Sequence, residues 1–246
     1  MKKVRLFVDL LYCFRKKAIF FTNSERLLKL IGNFSFIKPI PKGYFSQEGQ
    51  DCIALSLIED ASDLSIIDIG ANHPTMLNNT YFFEKEYGAE VISIEPNPYF
   101  VDLYKNGNRR LINAAIGNEE TYLELNVPTR NLTTDYNDHV HATFIKDELN
   151  EEAKKSSSTI QVPVKKLESL AKPGNYDILF IDVEGFELQV LEGINFEKFS
   201  FKLLFIENNS PLRPVSKIRN YLNNVGYTFY GRIHGLDDIY LLQSKR

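Results

Sequence analysis

Several apolar runs in this chain end on carboxylates, and these acids are the residues best placed to do chemistry. They are Asp68, Glu95, Asp182, Glu184 and Glu207. Short, continuous apolar runs of this kind are typical of strands buried on both faces of a parallel sheet. Because the carboxyl ends of parallel strands meet at one edge of the sheet, we expect the acids to converge on one crevice. A carboxylate at such an edge can hold ribose hydroxyls, so the crevice is predicted to bind a ribose-bearing cofactor.

The turn after the first acid indicates which kind of cofactor fits. Gly70 stops the strand abruptly, and Asn72 and Pro74 stand where a dinucleotide fingerprint would place further glycines. A pyrophosphate needs those glycines for close approach to the backbone, so a dinucleotide is poorly matched. S-adenosylmethionine lacks phosphates, offers a ribose to Glu95 and an amino-acid tail to the turn, and has a sulfonium that tolerates nearby carboxylates. The residues themselves therefore favour S-adenosylmethionine.

Hydrophobic periodicity and turn residues predict the elements that position these acids. Strands are predicted at residues 66–69, 91–95, 110–117, 122–127, 160–164, 176–181, 202–207, 227–233 and 239–242. Helices are predicted at residues 53–58, 81–87, 98–106, 166–171, 187–191 and 215–225. Ser46 or Asp51 is expected to cap the first helix, and residues 234–238 are typical of a hairpin turn. The result is an α/β chain with parallel strands followed by a C-terminal hairpin.

Composition narrows the classes of protein that fit. The 246 residues are 43% hydrophobic and 25% charged, which is ordinary for a globular chain with a full core. The net charge of −3 provides no general electrostatic footprint for nucleic acid, so no nucleic-acid partner is expected. Cys13 and Cys52 have neither a disulfide framework nor a zinc-ligand spacing, as expected of a cytoplasmic protein.

The first residues have a charge balance of their own. Lysines and arginines at positions 2, 3, 5, 15, 16 and 17 stand against a single acid, Asp9, and flank aromatic and aliphatic residues. Residues 1–43 are predicted to form a helical arm. A basic, aromatic-rich helix can lie on the inner face of an anionic membrane, which predicts peripheral membrane contact. The alternative is that the arm packs on the catalytic domain or on a second copy of the chain in a homodimer.

Residues 128–158 are long, polar and weakly periodic, which is typical of a lid or a disordered loop. Within them Asp135, Asp138, His139 and His141 have side chains that could ligate a metal. A loop rich in Asn, Thr and Asp produces such a cluster by chance, so no metal site is predicted.

The order and spacing of four motifs resemble those of the FkbM-type S-adenosylmethionine-dependent methyltransferases. The motifs are Asp-Ile-Gly-Ala-Asn at 68–72, Ile-Glu-Pro-Asn-Pro at 94–98, Ala-Ile-Gly at 115–117 and Ile-Asp-Val-Glu-Gly-Phe-Glu at 181–187. Residues 46–51 resemble a segment that often precedes the first motif. The resemblance implies a class I methyltransferase fold, a Rossmann-like doubly wound sheet that is mainly parallel and ends in an antiparallel hairpin. It places the methyltransferase domain at residues 44–246.

The resemblance also implies roles for individual residues. Asp68, Gly70 and Asn72 would hold the methionine end of the cofactor, and Glu95 with Pro96 would hold the ribose. Asn113, Ala114 and Ala115 would lie beside the adenine, and Asp182 near the sulfonium. The implied reaction is O-methylation, with a hydroxyl of a glycan or another secondary metabolite as acceptor.

A hydroxyl acceptor must lose a proton, so a base is expected at the crevice. Glu184, Glu207 and His234 are the candidates in that order, because the two acids follow core strands. Two other functions stay open, a nucleotide- or NAD-binding enzyme and a non-catalytic scaffold of the same fold. The turn with one glycine opposes the first of these, and the retained acids oppose the second.

Overall fold

The computed structural model describes residues 43–128, 141–149, 157–210 and 212–243. The predicted N-terminal arm lies outside the described residues except for its last position. So does most of the predicted loop, including Asp135, Asp138 and His139. The arm, its membrane contact and the homodimer therefore stay predictions.

Strands and helices alternate through the first half of the described chain. The helices are α1 (Gln50–Leu57), α2 (Tyr81–Tyr87), α3 (Tyr99–Asn106), α4 (Glu187–Glu192) and α5 (Ser216–Asn224). The strands are β1 (Ser65–Ile69), β2 (Glu90–Ile94), β3 (Leu111–Ile112), β4 (Ala115–Ile116), β5 (Thr121–Pro128), β6 (Ser157–Lys165), β7 (Gly174–Ile181), β8 (Phe199–Glu207), β9 (Tyr227–Ile233) and β10 (Asp237–Leu242).

The main sheet has seven strands in the order β3-β2-β1-β7-β8-β10-β9. Strands β3, β2, β1, β7 and β8 run parallel, and β10 pairs antiparallel with both β8 and β9. The chain builds outward from β1 in one direction and then returns to add β7 on the other side, which makes β1 and β7 the topological switch point. The prediction of a doubly wound, mainly parallel sheet with an antiparallel C-terminal hairpin is confirmed.

Alternate residues along β1 belong to two cores on opposite faces of the sheet. Ile67 and Ile69 pack in one core with buried side chains of α4 and α5. Ile66 packs in the other core with buried side chains of α1 and α2. Burying each of these isoleucines stabilises the fold by about 1.5–3 kcal/mol. The strand is thus clamped from both sides, and its carboxyl end is held in a defined place.

The predicted strand at residues 110–117 is divided between two sheets. β3 joins the main sheet beside β2, whereas β4 pairs with β6 in a separate three-stranded sheet of order β4-β6-β5. Asn113 lies at the break, where its side-chain amide donates to the carbonyls of Glu95 and Pro96 at 2.9 Å. That side chain replaces the ladder hydrogen bonds which a continuous strand would have made.

Two local predictions are wrong. Residues 166–171 form only a short 3₁₀ helix, Leu167–Ser169. At α1 the N-cap residue is Gly49, without a side-chain cap, and Asp51 lies inside the first turn. The Asp51 carboxylate accepts instead from the main-chain N–H groups of Phe45 at 2.7 Å and Cys52 at 2.8 Å. It therefore fastens the preceding segment to the helix.

Candidate functional site

A crevice opens at the carboxyl edge of the main sheet, where β1, β2, β7 and β8 end. Its volume is about 270 Å³, close to the lower limit of about 300 Å³ for small-molecule sites. Four carboxylates line it, those of Glu95, Asp182, Glu184 and Glu207. The described lining residues include no lysine or arginine. The predicted convergence of acids at this edge is thus present, and the field inside the crevice is negative.

Gly70 brings the ends of β1 and β7 together. Its φ is +83°, and a Cβ at this position would lie 1.8 Å from the main-chain oxygen of Asp182. The main-chain N–H of Asp182 donates to Ile69 at 3.0 Å, and that of Gly70 donates to Ile94 at 2.9 Å. Glycine is required here because the neighbouring backbone fills the space of a side chain. The glycine thus shapes the floor of the crevice through strand contact.

Glu95 is fixed from both sides at the end of β2. One carboxylate oxygen accepts from the main-chain N–H of Asn72 at 3.1 Å and the other from that of Asn97 at 2.8 Å. The side chain is buried, and burial raises the pKa of Glu95 to about 7. Each carboxylate oxygen retains a second lone pair for a ligand hydroxyl.

Asp68 has a different environment from the other acids. Its carboxylate is buried and accepts from the hydroxyl of Thr80 at 3.1 Å, in the field of Arg109. Burial raises the pKa of Asp68 to about 7. Asp68 is not among the residues lining the crevice, and its carboxylate holds Thr80, the N-cap residue of α2.

The residues predicted for the ribose and the methionine end mostly line the crevice, whereas those predicted near the adenine do not. Pro96 lines the crevice, as do Gly70, Asn72 and Glu95. Asn113 lies on the outside and holds the chain after β2 through the two hydrogen bonds described above. Ala114 and Ala115 are buried and do not line the crevice.

Asp182 directly follows β7, and Glu207 is the last residue of β8. Both residues line the crevice. Burial, reinforced by neighbouring acids, raises the pKa of each carboxyl well above its ordinary range. The acids acting on both include Glu184, Glu187 and Asp237. Two carboxylates in one desolvated site cannot both ionise easily, because each negative charge disfavours the other.

Glu184 also lines the crevice and has a strained backbone conformation. Its φ is +51°, in the left-handed region that non-glycine residues rarely adopt. Its carboxylate oxygen is 3.2 Å from Nδ1 of His141. Its main-chain carbonyl accepts from the hydroxyl of Thr143 at 2.7 Å. Strain of this kind persists only where the surroundings hold the residue in place, and it is concentrated at functional sites.

His234 is outside the set of residues that line the crevice. It occupies the β9–β10 turn, where His234 and Gly235 both have positive φ, as a type I′ turn requires. Its Nδ1 bonds to the carboxylate of Glu48. Gln50 donates to Asp237 at 2.6 Å nearby, so the segment at 46–51 is tied to the hairpin.

The second sheet and the segment after it contribute a wall of the crevice that no sequence pattern predicted. Leu125 of β5, together with Ala142 and Phe144, lines the crevice, and His141 stands beside them. Leu77 and Leu236 add apolar surface from other loops. Alternating hydrophobicity in β5 indicated a strand, but no local signal shows which sheet it joins or that its neighbours reach the site.

Neither a metal centre nor a membrane span is found in the part of the chain that the structure describes. No group of three or more His, Cys, Asp or Glu side chains there is arranged to hold a metal ion. No described helix is both long and apolar enough to cross a bilayer.

Comparison with known proteins identifies the family of this chain through its match to a family model. The chain is similar to a precorrin-6y C5,15-methyltransferase from Geobacter metallireducens GS-15, with 12% identity, 84% of this chain and 94% of that chain covered, and a TM-score of 0.46. No curated protein matches at the significance threshold. Residues 68–229 match the model of the methyltransferase FkbM domain. By this match the protein is a methyltransferase, and its sheet has the Rossmann-like order described above. It belongs to the FkbM methyltransferase domain family.

Proposed function

We propose that this protein is an S-adenosylmethionine-dependent O-methyltransferase whose acceptor is an uncharged hydroxyl compound, such as a glycan or another secondary metabolite. The observation that carries the proposal is the acidic crevice at the switch point. Its described lining has four carboxylates and no lysine or arginine. Such a lining attracts a cation and repels phosphate and carboxylate groups.

S-adenosylmethionine fits this donor set better than a dinucleotide does. Glu95 would accept the ribose hydroxyls, and Asn72 and the Gly70 turn would hold the amino-acid end. Asp182 would lie near the positive sulfur. Bound there, the cofactor supplies a methyl carbon that its positively charged sulfur makes electrophilic. A pyrophosphate would meet the same carboxylates without a compensating cation among the described lining residues.

The apolar wall favours an acceptor with an uncharged face. Leu125, Phe144 and Leu77 lie on the crevice, where they can contact a sugar ring or an aromatic ring and help exclude water. Holding the hydroxyl in line with the methyl group is the largest contribution this wall can make, since well-oriented reactants reach effective molarities of about 10⁵–10⁸ M.

Calorimetric titration tests the proposal. S-adenosylmethionine and S-adenosylhomocysteine are each expected to bind one site, and NAD is expected to give no heat at the same concentrations. Binding of NAD alone would favour a dinucleotide enzyme. Absence of binding by all three compounds would favour the non-catalytic scaffold.

Incubation with S-adenosylmethionine then tests the acceptor class. Neutral methyl glycosides and phenols are expected to support formation of S-adenosylhomocysteine, whereas sugar phosphates are not. Preferential turnover of sugar phosphates would contradict the assignment of an uncharged acceptor.

A further inference from the structure

A histidine and a glutamate from distant parts of the chain meet on the crevice wall. Nδ1 of His141 is 3.2 Å from a carboxylate oxygen of Glu184, and both residues line the crevice with Asp182. The His141 side chain is 65% exposed and that of Glu184 is 33% exposed. The imidazole is therefore within reach of a molecule that enters the crevice.

Glu184 is linked to the second sheet through Thr143. Thr143 is buried, and its hydroxyl donates to the Glu184 carbonyl at 2.7 Å. The main chain of Thr143 is itself paired with Asn126 of β5 through reciprocal hydrogen bonds of 2.9 and 3.0 Å. The segment that carries His141 and the residue that pairs with it are thus joined through one network, which accounts for the left-handed backbone at Glu184.

The other candidate bases are less suited to take a proton. Burial and neighbouring acids raise the pKa of Glu207 and of Asp182 well above the ordinary range, so a larger share of these carboxyls already holds a proton than in an ordinary acid. His234 bonds to Glu48 and does not line the crevice. An imidazole beside a carboxylate can take a proton at neutral pH, because the carboxylate stabilises the imidazolium that forms.

We propose that His141 is the general base of this methyltransferase and that Glu184 orients its imidazole. This inference rests on the proposed function and replaces Glu184 as the group that takes the proton. Nδ1–H donates to Glu184, which fixes the tautomer and presents Nε2 as the basic nitrogen. As the acceptor oxygen forms its bond to the methyl carbon, its hydroxyl proton passes to Nε2. The carbon–sulfur bonding pair stays on sulfur, so atoms and charges balance.

The pairing is tested by titrating the histidines by NMR, independently of any acceptor. The chain has four histidines, so single His→Asn variants assign their imidazole resonances. In the Glu184→Gln variant the titration midpoint of His141 is expected to fall by roughly half a pH unit to one pH unit. The reason is that its part-exposed carboxylate partner has been replaced by a neutral amide. Glu168→Gln is the matched control. The Glu168 side chain is also 33% exposed, and it forms an ion pair with a basic residue, Lys198. It is expected to leave the midpoint unchanged.

The catalytic contribution is tested with methyl glycosides and phenols as acceptor probes. His141→Asn is expected to lower turnover about 100-fold or more, the contribution typical of a general base. Its dissociation constant for S-adenosylmethionine is expected to stay within about twofold of the wild-type value. Added imidazole is expected to restore turnover in part to His141→Ala, which a merely structural histidine would not allow. Glu184→Gln is expected to lower turnover less than His141→Asn does.

Failure of the base assignment is distinguishable from failure of the proposed function. An active wild type with a His141→Asn variant that keeps more than half of the turnover overturns the base assignment alone. A His141 midpoint that does not respond to Glu184→Gln overturns the pairing. A wild-type protein that binds no S-adenosylmethionine overturns the proposed function together with the assignment.

Discussion

Glu95 already satisfies two main-chain donors before any ligand arrives. Its carboxylate oxygens accept from Asn72, in the turn after β1, and from Asn97, between β2 and α3. Truncation to alanine would leave these N–H groups without their acceptor and would disturb the turn as well as the ligand. Substitution by glutamine preserves the shape and one acceptor oxygen, so it separates the two effects better.

We expect Glu95→Gln to raise the dissociation constant of S-adenosylmethionine about 10- to 100-fold. Hydrogen bonds to a charged group contribute about 1.5–3 kcal/mol, and about 1.4 kcal/mol corresponds to a factor of ten. Calorimetry measures the constant, and Glu90→Gln is the control, because Glu90 begins the same strand and is exposed. Equal affinity in the two variants would remove Glu95 from the cofactor site.

Two glycines illustrate how elements are brought together. Gly70 and Gly88 both have positive φ, +83° and +67°. A Cβ on Gly88, which ends α2, would meet nothing within 4 Å, whereas a Cβ on Gly70 would collide with the backbone of Asp182. Alanine variants at the two glycines therefore separate two losses of stability. One is due to a left-handed backbone at a residue with a Cβ, and the other is due to pushing β1 and β7 apart.

We expect Gly88→Ala to lower the free energy of unfolding by about 1–2 kcal/mol, the cost of a left-handed alanine. Gly70→Ala is expected to cost at least twice as much, because relieving the collision would break the hydrogen bond from Asp182 to Ile69. Urea denaturation measures both losses. If the two losses were equal, close approach of the strands would not be the reason for glycine at position 70.

At the scale of the whole molecule, the buried carboxylates couple protonation to folding. Burial raises the pKa of Asp68, Glu95 and Asp237 to about 7, from ordinary values of 3.8 for aspartate and 4.5 for glutamate. Between these limits the folded protein binds more protons than the unfolded chain. The stabilisation is complete below the ordinary values and is lost as the pH rises through 7.

We therefore expect the free energy of unfolding of the ligand-free protein to fall, by an amount on the order of several kcal/mol, between pH 5 and pH 7.5. Urea denaturation at intervals across this range measures the slope. Asp237→Asn should make the slope less steep, because the asparagine side chain does not titrate. Its amide oxygen can still accept the hydrogen bond from Gln50. Glu168→Gln should leave the slope as it is. Stability that rises with pH in this window would contradict burial as the main effect on these carboxyls.

The sequence by itself determined the doubly wound sheet, the hairpin and the convergence of acids at one edge. These features follow from local patterns, because apolar runs identify strands and the chirality of crossovers brings their carboxyl ends together. The motif order likewise identified the family. Each of these signals lies within a short stretch of chain and survives without knowledge of the packing.

Only the tertiary structure decided how each acid is used. It turned Asp68 toward Thr80, filled the space at Gly70 with the Asp182 carbonyl, and paired Glu184 with His141 across 43 residues. It also divided the strand at 110–117 between two sheets and made β5 part of the crevice wall. Side-chain partners and close backbone contacts depend on how separate elements pack, and hydrophobic periodicity does not specify that packing.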